Sequence, residues 1–316
     1  MAETDVGRST GNVAVRVVRQ QRTAVQQELT AALDAFHEPV TGSPRARDAA
    51  WLDDRGQREI EGLKGIFGIG VEHTAELLRV AREHSVAIEI LLDAEEILPI
   101  PMMSLVRSVH EALLEACWLT DPAIGSDQRI ARAAAACLAS VQGNLSPLNQ
   151  LPNTGIRVAE VQESVEGMHA LLKQFGFDLR YDKAGALVTA VIYGEGRAAL
   201  KINVTELNGL YMPGSEHMWS LGSGGTHSRH WFTAGLEGSR DLLAIMIVAP
   251  MLDFVDAAID NIHGYLGLPT REFHKRAHQR RIALLSRRNE EVSREVFSAG
   301  YDEYAAARIQ PRVSAG

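Results

Sequence analysis

SLVRSVHEALLEACWLTDP, residues 104–122, is an apolar helical stretch that gathers Arg107, His110 and Glu111 in its first half. Pro99 and Pro101 stand where a helix can start without an amide donor, and Thr120-Asp121-Pro122 closes the run. With Arg107 as origin, a rotation of about 100° per residue puts Glu111 at about 40° and Trp118 at about 20°. Val106, Leu113 and Cys117 cluster at about 240–280°, with His110 beside them at about 300°. Arg107 and Glu111 are therefore expected at the rim of a core and His110 inside it. Ser104, Ser108 and Glu115 fall on the wet side. A helix this apolar needs other helices to cover it.

The flanking sequence supplies them. Residues 13–36 have helical composition and stop before the breaker cluster HEPVTGSP. Residues 46–64 read as a second helix interrupted by GIFGIG at 65–70, and 71–96 as a third. Residues 126–143 form a helix with Ser126 as expected N-cap, and 155–175 another. FDLRYDKAGALVTAVIYG, 177–194, carries alternation around an Asp-Lys-Ala-Gly turn, a hairpin signal, and RAALKINVTELNGLYM after it is ambiguous. An irregular Gly/His/Trp stretch at 213–238 precedes an apolar helix at 239–266 and a basic helix at about 270–298.

The expected fold is mainly α, a multi-helix bundle with one small β-hairpin excursion. Its organisation reads as a mobile tail at 1–12, N-terminal helices at 13–98, a bundle core at 99–266, and a basic C-terminal helix and tail at 267–316.

With 316 residues, 46% of them hydrophobic and 23% charged, the chain can bury a substantial core. Its net charge of −8 argues against general attraction to nucleic acid or anionic lipid. Two cysteines, Cys117 and Cys137, both in apolar helical patterns, do not make a disulfide framework. No apolar leader opens the sequence, and the apolar run at 242–252 is too short for a bilayer, so a cytoplasmic protein without membrane contact is expected.

Several chemistries fail on spacing. Asp34/His37, Glu166/His169 and Asp260/His263 repeat an acid-x2-His pattern, but Glu166 and Asp260 lie about 120–140° from their apolar stripes, so a di-metal bundle site is rejected. LGSGGTH, 221–227, has neither the preceding strand nor the following Gly-Lys-Ser/Thr of a phosphate loop. No cofactor and no metal is implied.

The pattern Arg107-x3-Glu111, Trp118-Leu119-x-Asp121-Pro122, Arg129-x2-Arg132, followed by Ser223-x3-His227, resembles a group of bacterial helical proteins. That group is distantly similar to the abortive-infection and HEPN-type helical proteins, and the resemblance covers about residues 99–266. HEPN ribonucleases carry Arg-x4–6-His on one helix. Arg107 and His110 are too close to match, whereas Arg79-x4-His84 and Arg271-x6-His278 match by spacing.

The resemblance implies a polar interhelical pocket acting on, or binding, nucleotide or RNA. His227 would be the acid/base, Glu111 would orient it, and Arg107 would hold an anionic group; His110, Ser223, Trp118 and Arg129 would contact substrate. The basic stretch at 271–288 adds Arg276, Arg280 and Arg281 as nucleotide or RNA contacts, or as a solvated helix pairing with acids of the chain or of a partner subunit. Two alternatives use the same residues: a small-molecule (biosynthetic) enzyme walled by Trp118, Trp219 and Trp231, and a non-catalytic dimeric assembly protein. A homo-oligomer is expected, and whether the protein is an enzyme stays open.

Overall fold

The computed structural model describes residues 3–96, 98–143, 155–185, 187–215 and 240–285. Among them are nine helices and one three-stranded antiparallel sheet. The order is α1 (Glu3–His37), α2 (Pro44–Asp53), α3 (Gln57–Asp93), α4 (Pro99–Leu119), α5 (Ser126–Gly143) and α6 (Gly155–Gln174). Then come β1 (Asp178–Tyr181), β2 (Val188–Tyr193), β3 (Gly196–Ala199), α7 (Val204–Tyr211), α8 (Arg240–Leu266) and α9 (Arg271–Leu285). The chain is mainly α with a small β excursion, as its pattern predicts.

The helix at the centre is α4, buried on most of its circumference from Met102 to Leu119. α3 and α8 pack along it, α7 caps one flank, and α5 packs against α3 and the sheet. α1 lies across α3 and α8, and α9 lies on α1 and α8. One continuous apolar core joins them. Among the described residues no helix is long and apolar enough to cross a membrane.

Three local expectations are corrected. α1 begins at Glu3, ahead of residue 13, because nothing in that segment stops a helix: it has no proline, and each glycine costs only about 1 kcal/mol. The break expected at 65–70 falls instead at Asp54–Gly56, and GIFGIG is helical within α3. There Gly70 faces α5, where an added Cβ would stand 2.8 Å from Ala133 Cβ, so the glycine serves helix contact. Ser126 opens α5 without capping it; its hydroxyl donates to Asp48 Oδ1 at 2.6 Å.

The predicted hairpin is β1–β2, with Leu179 opposite Val191 and a turn at Asp182–Gly185. The segment that was ambiguous in sequence adds β3, paired from Ala190↔Ala199 to Tyr193↔Gly196. This turn seats on the start of α5: Glu195 N donates to Asp127 Oδ2 and Arg197 N to Gln128 Oε1. A Cβ at Gly196 would lie 2.2 Å from the Asp127 carbonyl oxygen, so only glycine permits that approach.

Candidate functional site

α4 carries the first group of candidates. Arg107 Nε donates to Glu111 Oε1 at 2.8 Å, with 20% and 38% of the two side chains exposed. His110, one residue away, is 1% exposed and stacks on Phe254 of α8 at 4.2 Å between ring centres. Its Nε2 donates to Asn208 Oδ1 of α7 at 2.7 Å. Burial pushes the imidazole pKa down, against the pull of the Asn208 hydrogen bond and the Glu111 charge. The ring is therefore neutral at neutral pH. Its Nδ1 has no hydrogen-bond partner among the described residues. One turn on, Glu115 meets His73 of α3 at 3.0 Å, so this side of α4 is bonded to α3 and not simply wet.

The predicted partners of this group, Ser223 and His227, lie outside the described residues, as do Trp219 and Trp231. The structure thus brings Arg107, Glu111 and His110 onto one helix and adds Asn208, which nothing in the sequence singled out.

Trp118 and Arg129 belong to a different neighbourhood, a buried polar network where α2, α4, α5, α7 and α8 meet. All three guanidinium nitrogens of Arg129 are engaged: Nε with Asp48 Oδ2 at 2.7 Å, Nη1 with the Asp121 carbonyl, and Nη2 with the Ile124 carbonyl at 2.8 Å. The Tyr265 ring lies against it at 4.4 Å, and the Tyr265 hydroxyl donates to Asp48 at 2.8 Å. Arg132 Nη1 donates to the Trp118 carbonyl at 2.6 Å, and its guanidinium lies 5.3 Å from the Trp118 ring centre. Tyr211 donates to Asp121 Oδ2 at 2.7 Å, and burial drives its phenol pKa up. Arg129 thus spends its donors inside the protein and ties the α4–α5 loop to α2. Trp118 lends the network its carbonyl and ring face.

α9 presents the third group. Arg281 pairs with Asp253 at 2.6 Å and with buried Asp256, and Arg276 reaches Glu28 of α1 at 3.4 Å. His274 pairs with Asp260, which was expected to face solvent; the approach of α9 gives that acid its partner. Arg280 differs. It is 6% exposed, yet its Nε and Nη2 have no hydrogen-bond partner among the described residues. Burial lowers its pKa to about 10, against the attraction of Asp256. Arg280 lines a hollow of about 530 Å³ between α1 and α9, whose other walls are Arg19, Gln20, Thr23, Gln27, Arg276 and Gln279. No acid lines it.

The two Arg/His spacings found elsewhere do not form isolated pairs. Arg79 is held by Glu76 and Glu83 on the exposed side of α3, and Arg271 and His278 lie on α9. Among the described residues no group of three or more His, Cys, Asp or Glu side chains is placed to hold a metal ion.

Compared with family models, curated proteins and solved structures, the chain matches none.

Proposed function

We propose that this protein binds a phosphate-bearing ligand of the nucleotide or RNA type, and that the phosphate sits in the α1–α9 groove. One observation carries the reading: Arg280, whose Nε and Nη2 are buried without a hydrogen-bond partner among the described residues, stands in the wall of a groove whose described lining holds arginines and amides and no carboxylate. A buried donor without an acceptor costs about 1–3 kcal/mol, more when charged. A phosphate oxygen removes that cost, since its charge and its acceptor geometry both fit an arginine. Arg19 and Arg276, each paired on one side with an acid outside the groove lining (Glu89 at 2.8 Å and Glu28 at 3.4 Å), flank it, and Gln20, Thr23, Gln27 and Gln279 offer neutral polar partners for a sugar or base. Any processing of the bound molecule falls to Arg107, Glu111, Ser223 and His227, in the HEPN-like sense, with His227 as acid/base.

Isothermal titration of the full chain with AMP, with pyrophosphate and with a short oligouridine tests it. At least one is expected to bind, and Arg280→Met is expected to weaken it by about tenfold or more, the loss of one charge-assisted contact. The steepness of the salt dependence separates a polymer, which displaces many counterions, from a mononucleotide. If all three fail to bind, or bind Arg280→Met as tightly as the parent, the reading is wrong. His227→Ala is expected to keep binding and lose any cleavage.

A further inference from the structure

The opposite flank of α1 carries a second, chemically different opening. Between α1 and α3 runs an apolar seam made of two adjoining hollows of about 40 and 170 Å³, which share Gln26, Leu29, Leu78 and Arg82 in their walls. Val25, Leu29 and Leu33 line it from α1, and Val71, Ala75 and Leu78 from α3. Its inner wall reaches Leu113 of α4 and Met251 of α8, both buried. From Arg22 to Phe36 the seam follows about 21 Å of helix at 1.5 Å per residue. One leaflet's hydrocarbon depth is about 15 Å, so the seam has room along its length for an acyl chain.

One end of the seam is polar. Arg22 pairs with Glu89 through Nη2 at 3.2 Å, but its Nε is buried without a hydrogen-bond partner among the described residues. Gln21 Oε1 beside it is also unpartnered. Arg82, exposed where the two hollows join, makes no ion pair among the described residues. Arg22 at one end and Arg82 where the two hollows join are therefore cations on a mostly apolar slot, whose third cation, Arg79, is held by Glu76 and Glu83.

We propose that this seam holds a fatty acid of about twelve carbons, its hydrocarbon chain between α1 and α3 and its carboxylate on Arg22 and Arg82. The occupant follows from the shape and the charge together. Binding sites for small molecules are mostly apolar walls with a few placed polar groups, and here the charged ones among the lining residues are all cations, which select an anionic head. A second copy of this chain fits less well. Of the large exposed apolar side chains among the described residues only Leu33 lines the seam, whereas a specific protein interface buries about 800 Å² on each partner. The inference is independent of the phosphate groove, which lies on the other side of α1.

The full chain is titrated with dodecanoate and with dodecyltrimethylammonium, which shares the alkyl chain but carries the opposite charge. One equivalent of dodecanoate is expected to bind, and the cation at least about tenfold more weakly. Arg82→Glu is expected to narrow or reverse that preference. Ala81→Phe fills the buried wall and is expected to abolish binding; Ala75→Trp does so from an exposed position that leaves folding intact. Arg280→Met, on the far side of α1, is expected to leave dodecanoate binding unchanged. The proposal is overturned if neither amphiphile binds, if both bind equally, or if Ala75→Trp binds as the parent does. It is also overturned if light scattering shows a dimer that Leu33→Glu splits while dodecanoate has no effect, because the seam is then covered by a second subunit.

Discussion

Arg129 Nε and Asp48 Oδ2 meet at 2.7 Å with 4% and 2% of their side chains exposed, fastening the start of α5 to α2 across 81 residues of sequence. Both charges are out of water, so each depends on the other. Asp48→Ala leaves the Arg129 guanidinium without its counter-charge and is expected to cost about 3–5 kcal/mol, the range for breaking a buried pair. Removing both charges with Asp48→Leu and Arg129→Met is expected to recover a large part of that loss. Urea denaturation of the single and double variants measures both. A loss below about 1 kcal/mol for Asp48→Ala would place the pair among ordinary surface bridges.

The burial of His110 gives stability a pH dependence with a definite sign. Its folded pKa lies below the ordinary value of 6.5, so the unfolded chain takes up the proton first. The contribution of the neutral ring is complete above about pH 6.5 and is lost as the pH falls through the folded pKa, at no more than about 1.4 kcal/mol per pH unit. His110→Gln has no proton to gain and is expected to show a flatter melting temperature between pH 7.5 and 5.5 than the parent. Parallel curves for the two proteins would refute this.

The β2–β3 turn is expected to be less tolerant than the β1–β2 turn. Gly196→Ala drives a Cβ to 2.2 Å from the Asp127 carbonyl oxygen and 2.5 Å from Gln128 N, both backbone atoms at the start of α5. Overpacking of this kind costs about 1–3 kcal/mol. Gly185→Ala meets nothing within 4 Å, and its penalty is confined to a φ of +71°, about 1 kcal/mol. Denaturant midpoints for the two variants decide it: equal losses mean that the Gly196 contact does not constrain the fold.

Arg107 and Glu111 are expected to contribute little to folding. The pair is i,i+4 on one helix and partly exposed, and its coupling energy in a double-mutant cycle is expected at about 0.3–0.5 kcal/mol. A double-mutant cycle on urea denaturation measures that coupling. A large loss of stability in either variant would assign the pair a structural role instead.

What the sequence alone determined is the set of features with a local period. The burial of α4, the rim position of Arg107 and Glu111, the inward turn of His110 and the β1–β2 hairpin all follow from side chains repeating every 3.6 or 2 residues. Tertiary structure decided everything that joins distant segments. Asn208 meets His110 from 98 positions away, Asp48 engages the donors of an Arg129 expected to face a ligand, and Gly70 belongs to a helix contact where a break was expected. The same holds for α9: a run of arginines looks uniform in sequence, yet Arg281 and Arg276 are paired while Arg280 is buried with donors unused. Periodicity records which face of an element is apolar, but not which residue of another element arrives there, because that partner is selected by packing over the whole core.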